Sequence, residues 1–289
     1  MFDAIAFAGG GNRCYWQGGF WEAAAPRLGL APTRVVGVSA GAWAACYSLL
    51  GLGPRVRERV IEGCSQGVPN LDVASWRRGG RLFPVADLYR ALIAEILDAD
   101  AFARLKAGPE ILVAVARRPR RLPLPVAIPL GILTYQLEKA LAAPVHPRGG
   151  RALGFTADFV PVSRLASPEE LVGALIATAS VPPIMPIGLV GGLPALDGGL
   201  VDNVPVEPLV EIEARGGRTL VLLTRRYRRH PQVRGRTYVQ PSRKIAVGQF
   251  DLTRPQAIAE AYALGLADGA AFAESVSRSA SSSAIDGTT

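Results

Sequence analysis

The pentapeptide Gly37-Val38-Ser39-Ala40-Gly41 constrains what this chain can fold into more than any other stretch of it. Before it runs Arg34-Val35-Val36-Gly37-Val38, apolar and β-branched, which reads as a buried strand; after it Ala40 to Leu50 is alanine-rich and reads as a helix. A G-x-S-x-G pattern at such a junction places a serine on a sharp strand-to-helix corner, where small neighbours let the backbone turn and the hydroxyl stands clear. With 32 glycines and 14 serines in the chain, chance supplies roughly 0.2 such matches. The flanking strand and helix therefore carry the reading more than the five residues do.

A similar unit precedes it. Phe2 to Phe7 reads as a strand, Gly9-Gly10-Gly11 as a turn and Tyr15 to Leu28 as a helix. Two strand, turn and helix units in the first 50 residues predict a parallel sheet. Further strands are expected at Glu110 to Ala116, Leu153 to Val160 and Thr219 to Thr224, with helices near Val85 to Leu97, Pro168 to Ala177 and Pro255 to Ala273. The fold class is α/β, a mainly parallel central sheet flanked by helices. Without internal repeats or a linker, residues 1–276 are expected to form one domain. Between Arg117 and Arg148 the pattern breaks into prolines, arginines and an apolar run, which predicts a flap (117–148) over the core. Residues 277–289 are serine-rich with few large apolar groups and are expected to form a frayed, disordered tail.

Composition narrows the classes. The chain has 289 residues, 49% of them hydrophobic, enough to bury a substantial core. Cys14, Cys46 and Cys64 are odd in number, scattered, and in no spacing that suits zinc or a disulfide framework, so reduced thiols and no metal are expected. The first residues show no basic region followed by an apolar one, so a cytoplasmic protein without a cleaved signal is expected. The apolar stretch Leu122 to Tyr135 is broken by three prolines and is too short to span a bilayer. A formal charge of +8 comes largely from arginine, clustered at Arg117 to Arg121 and at Arg225 to Arg229. Such clusters suit either a solvated surface or peripheral contact with an anionic membrane. No nucleic-acid-binding module accompanies them, and no nucleic acid partner is expected.

A serine hydroxyl needs a base within hydrogen-bond reach and donors for the oxyanion formed on attack. Gly9-Gly10-Gly11-Asn12-Arg13 leaves backbone N–H groups free at a helix N-terminus and lets a negative charge approach, as an oxyanion loop requires. The same run fits neither nucleotide-binding glycine pattern. For the base, the chain offers His146, in a proline-flanked stretch, and His230, in an arginine cluster. Asp197, followed by Gly198-Gly199 and preceded by the apolar, glycine-rich Ile187 to Leu196, is the better candidate, against the alternative of an exposed turn aspartate.

Taken together, Gly9-Gly10-Gly11-Asn12-Arg13, the elbow at Gly37 to Gly41 and Asp197-Gly198-Gly199 resemble the patatin-like phospholipase family in order and spacing. Ala179 to Pro186 is similar to its proline-rich approach to the aspartate, and Asp202-Asn203-Val204-Pro205 to its sequel. The resemblance covers residues 3 to 225. It implies a patatin-like variant of the α/β-hydrolase architecture and a Ser-Asp dyad: Ser39 attacks an acyl ester of a phospholipid or other acyl lipid, Asp197 takes the proton, the glycine loop holds the oxyanion, and no cofactor is needed. Cys14 stands where the family usually has glycine, which is tolerable if its φ is negative. Arg13 could favour an anionic intermediate or a substrate phosphate, or simply bond loop carbonyls; Asn203 reads as a brace for the aspartate turn. Trp16, Trp21, Trp43 and Trp76 could line an acyl groove, though core packing is the simpler account. Two further readings stay open: a soluble-ester hydrolase with a Ser39-Asp197-His230 triad, and a catalytically weak scaffold on the same fold.

Overall fold

The computed structural model describes residues 1–141 and 144–286, with side chains as far as residue 279. The strands are β1 (Ala4–Phe7), β2 (Arg34–Val38), β3 (Glu110–Arg117), β4 (Thr156–Pro161), β5 (Gly188–Val190), β6 (Leu193–Asp197), β7 (Thr219–Leu222) and β8 (Arg236–Val239). Among the described residues they form one eight-stranded sheet of order β5-β6-β3-β2-β1-β7-β8, with β4 pairing β3 off that path. The run β3-β2-β1-β7-β8 is parallel throughout; β4, β5 and β6 pair antiparallel. The sheet is thus mostly parallel, as the repeated strand, turn and helix pattern predicts.

Its central strands are buried on both faces. In β1, Ile5 and Phe7 join the larger core with Trp16, Phe20 and Trp43, while Ala4 and Ala6 face a second cluster with Val36, Val221 and Leu223. That period of two with both faces covered is what a parallel sheet between helical layers demands.

The helices are α1 (Tyr15–Leu28), α2 (Ala40–Leu49), α3 (Gly53–Ser65), α4 (Val73–Arg77), α5 (Val85–Ile96), α6 (Ala99–Ala107), α7 (Leu124–Leu141), α8 (Gly149–Ala152), α9 (Pro168–Thr178), α10 (Val210–Ala214) and α11 (Pro255–Asp286). α11 lies against α1 at very short range: a Cβ on Gly265 would meet the Trp16 carbonyl oxygen at 2.1 Å, and one on Gly19 would meet that of Tyr262 at 2.1 Å. Such a crossing leaves no room for a side chain at either position.

Beyond α3, α4, α6, α8, α10 and β8, which the sequence pattern does not predict, two segments differ from the sequence-based expectation. The proline-rich stretch after Arg117 holds an 18-residue helix, α7, with Pro129 inside it. Its inner face, Leu124, Ala127, Ile128 and Ile132, packs on Phe155, Leu196, Leu200 and Val201. Its outer face is also apolar and open to solvent, with Leu133 56%, Leu137 52% and Leu141 85% exposed. The sequence also hides the hairpin β5-β6, which turns at Gly191-Gly192, both with positive φ. α11 runs through residue 277 to Asp286; residues 287–289 of the expected tail, like 142–143 of the expected flap, lie outside the described residues. No helix among the described residues is long and apolar enough to cross a membrane.

Candidate active site

Parallel register brings the ends of β1 and β2 to one edge of the sheet: Phe7 pairs with Gly37 and with Leu222, and Val38 pairs with Ala114. The glycine loop follows β1 and Ser39 follows β2, so both emerge at the carboxyl edge, where open α/β sheets carry their ligands. β6 runs antiparallel beside β3 and delivers Asp197 opposite Val115 at the same edge.

Ser39 has φ 54° and ψ −139°, and is the one non-glycine residue with positive φ among the described residues. A conformation of this kind costs about 1–3 kcal/mol and persists only where its surroundings enforce it. They do so here. Thr178, the last residue of α9, accepts the Ser39 N–H through Oγ1 at 2.9 Å and donates the same hydroxyl to the Ala114 carbonyl. On either side of the corner there is no space for a side chain: a Cβ on Gly37 would meet Ala42 Cα at 2.4 Å, and one on Gly41 the Ala8 carbonyl oxygen at 2.4 Å. Thr178 had no signal in the sequence, being a lone threonine at the end of an apolar helix.

Asp197 is 8% exposed. Its N–H donates to the Ser180 carbonyl at 2.9 Å, and its carboxylate accepts the Gly199 N–H at 2.7 Å. Ser180 in turn donates its hydroxyl to the Pro186 carbonyl at 2.6 Å, so the segment Ala179 to Pro186 seats the aspartate. Burial pushes the Asp197 carboxyl up to about 6, partly offset by hydrogen bonds from Ser39 and from the Gly199 N–H. A buried carboxylate that shares a cavity with Ser39 and is pushed up toward neutrality meets the requirements of a general base.

The glycine loop is held at several points. Gly9 N–H donates to the Asn203 carbonyl at 3.0 Å, Asn12 N–H to that of Gln249 at 2.9 Å, and Arg13 N–H to that of Gly10 at 3.4 Å. The Gly9 carbonyl accepts from the Thr224 hydroxyl at 2.6 Å and from Asn203 Nδ2 at 3.0 Å. Asn203 therefore braces the loop from the aspartate turn rather than the turn alone. Asn12 Nδ2 is spent on the Asp251 carbonyl at 2.7 Å, and Arg13 Nε bonds the Gly10 carbonyl at 3.3 Å. Among the described residues the amides of Gly10, Gly11 and Ala40 have no protein acceptor. Gly11 has φ +58° and lies so close to Gln249 that a Cβ would stand 2.2 Å from its carbonyl oxygen, which makes glycine a requirement there.

Two cavities meet at Ser39. One, of about 80 Å³, is lined by Gly10, Gly11, Asp197, Asn203 and, from α7, Ile132, Tyr135 and Gln136. The other, of about 40 Å³, is mostly apolar and runs past Trp43, Tyr47 and Tyr89. Of the four tryptophans only Trp43 lines the serine cavity; Trp16 and Trp21 are in the core and Trp76 is 58% exposed.

Cys14 has φ −68°, an ordinary helical value, so a side chain at this position brings no backbone strain. It is buried and donates weakly to the Ala8 carbonyl, and that burial raises its thiol pKa and disfavours the thiolate. Neither histidine has Ser39 or Asp197 among its hydrogen-bond partners. His230 Nε2 bonds Gln240 Oε1 at 2.9 Å and its ring stacks on Tyr238, while His146 joins Asp202 to the Tyr238 hydroxyl. No group of three or more metal-ligating side chains occurs among the described residues.

A mostly parallel sheet flanked by helices, with a strained serine at a strand-to-helix corner of its carboxyl edge, places the chain in the α/β class. Within that class, the patatin-like phospholipase profile matches residues 5–210. The chain belongs to the patatin-like phospholipase family, a family of lipid acyl hydrolases. No curated protein matches it in sequence.

Proposed function

We propose that this protein hydrolyses acyl esters of phospholipids by a Ser39-Asp197 dyad within one acyl hydrolase domain over residues 1–276. The observation that carries the reading is the strained Ser39 and the buried Asp197 lining one cavity. Ser39 Oγ attacks the ester carbonyl carbon as its proton passes to Asp197. The carbonyl π electrons move to oxygen, and the amides of Gly10, Gly11 and Ala40 are the free donors to receive that charge. Collapse of the intermediate breaks the ester bond, and the departing alkoxide takes the proton from Asp197. Water then attacks the acyl-serine with Asp197 again as base, releasing the fatty acid and restoring Ser39.

A lipid substrate suits the apolar cavity beside Ser39. The outer stripe of α7, together with Arg118, Arg120 and Arg121 in the segment that precedes the helix, suits peripheral contact with an anionic lipid surface. The triad reading lacks support in that His230 bonds Gln240 instead. The test is release of fatty acid from phospholipid vesicles, followed by mass spectrometry of the products. Ser39→Ala is expected to lower the rate by roughly a thousandfold or more; equal release by that variant would overturn the proposal, and transfer of the acyl group to an added alcohol in place of water would make the protein a transferase.

A further inference from the structure

The cavity of about 40 Å³ that runs from Ser39 past Trp43 has room for a few water-sized groups and not for a fatty acyl chain. It does not end there. A second cavity, of about 270 Å³, adjoins it and shares four of its lining residues, Asn12, Tyr15, Val85 and Tyr89. Its walls come largely from α3 and α5. Along α5, Ala86, Ile93 and Ile96 are buried in the core, while Val85, Leu88, Tyr89 and Leu92, spaced as one helical stripe, line the cavity. Gly63, in the last turn of α3, lines it too. Its φ is not positive, and a Cβ placed there meets nothing within 4 Å. Neither backbone conformation nor a close neighbour calls for glycine at this position, although glycine weakens a helix. What the missing side chain leaves is space.

The reaction decides which part of a substrate belongs here. Asp197 lines the other Ser39 cavity, the one bordered by α7, and neither of these two. Its proton goes to the departing alkoxide and is later replaced from water, so the alcohol and the water take the α7 side. The acyl chain stays bonded to Ser39 between those two steps. It is left with the opposite side, which is apolar and opens between α3 and α5.

We infer that the acyl chain of the substrate runs from Ser39 past Tyr89 into the cavity between α3 and α5, and that Gly63 and Leu92 set the chain length accepted. The inference rests on the serine-hydrolase reading and adds to it a preference for long unbranched chains over short ones. Each methylene that leaves water in such a cavity strengthens binding about fourfold.

The test attaches to Ser39 an alkyl fluorophosphonate whose long chain, carried on phosphorus in place of the acyl group, ends in a diazirine. The serine oxygen displaces fluoride, light converts the diazirine to a carbene, and peptide mass spectrometry locates the crosslink. Crosslinks are expected on α3 or α5, near Gly63 or Leu92; an adduct on Ser39 that crosslinks to neither helix would overturn the inference. In parallel, kcat/KM for the dodecanoyl and butyryl esters of p-nitrophenol is compared within each variant, so that a folding loss common to both esters cancels. The wild type is expected to favour the dodecanoyl ester at least tenfold. Gly63→Leu, which suits a helix better than glycine does, should lower that ratio about tenfold or more, and Leu92→Trp should do the same. A wild-type ratio near one, or a ratio unchanged in both variants, would also overturn the inference. Failure of the phosphonate to attach to Ser39, with neither ester turned over, would instead overturn the hydrolase reading beneath it.

Discussion

Asp197→Asn should stabilise the protein at neutral pH while abolishing turnover. The carboxyl rises from an ordinary 3.8 to about 6 because it is buried, so the folded state holds a proton that the unfolded chain releases between those two values. In that window the native state binds more protons, and stability falls as pH rises through it. At about 1.4 kcal/mol for each tenfold change in a proton equilibrium, the cost at pH 7.5 is about 3 kcal/mol. Asparagine never ionises, and its carbonyl oxygen can still accept the Gly199 N–H that Asp197 now accepts at 2.7 Å. Unfolding by urea, wild type against variant, isolates the effect because every other titrating group is common to both. The stability advantage of Asp197→Asn should grow by about 2–3 kcal/mol between pH 4 and pH 7.5. An advantage that does not change with pH, or a variant that loses ground as pH rises, would refute the claim that burial sets this carboxyl.

Two further outcomes follow from the same geometry. The kcat/KM profile should rise with pH to a plateau, with a midpoint at about 6 as Asp197 ionises in the free enzyme, and His230→Gln should leave that limb in place; stopped assays on a short-chain ester across pH 4.5 to 9 would show it. Thr178→Val removes the hydroxyl that accepts from Ser39 N–H and donates to the Ala114 carbonyl, leaving two buried groups unpaired. It should cost about 2–4 kcal/mol in denaturant unfolding and lower kcat by relaxing the elbow; a loss of less than about 0.5 kcal/mol would contradict the bracing role.

The elbow was legible because β-branched residues change to alanines at one serine, so the strand and helix periods meet there without ambiguity. β2 appears at Arg34–Val38 and α1 at Tyr15–Leu28, each where the pattern places it. α7 was not legible, because Pro125 and Pro129 read as breakers and because a helix apolar on both faces has no period to detect. β5 and β6 were missed for a related reason: three and five residues interrupted by Pro194 and bounded by Gly191-Gly192 do not show alternation. Ser39 and Asp197 could be singled out by local pattern and by family resemblance. What surrounds them could not: Thr178 and Thr224 are single threonines whose roles depend on contacts 139 and 215 residues away. Of the five residues of the glycine loop, the sequence could not say which amides are left free, since that depends on where Asn203 and Gln249 come to rest.

The most direct measurement is covalent labelling of the purified protein by a fluorophosphonate, with the adduct located by peptide mass spectrometry, in the wild type and in Ser39→Ala, Asp197→Asn and His230→Gln. It needs no knowledge of the substrate. The account predicts a single adduct on Ser39 that disappears in Ser39→Ala, is strongly slowed in Asp197→Asn and persists in His230→Gln. Labelling that survives Ser39→Ala, or that is lost in His230→Gln and kept in Asp197→Asn, would contradict the Ser39-Asp197 dyad.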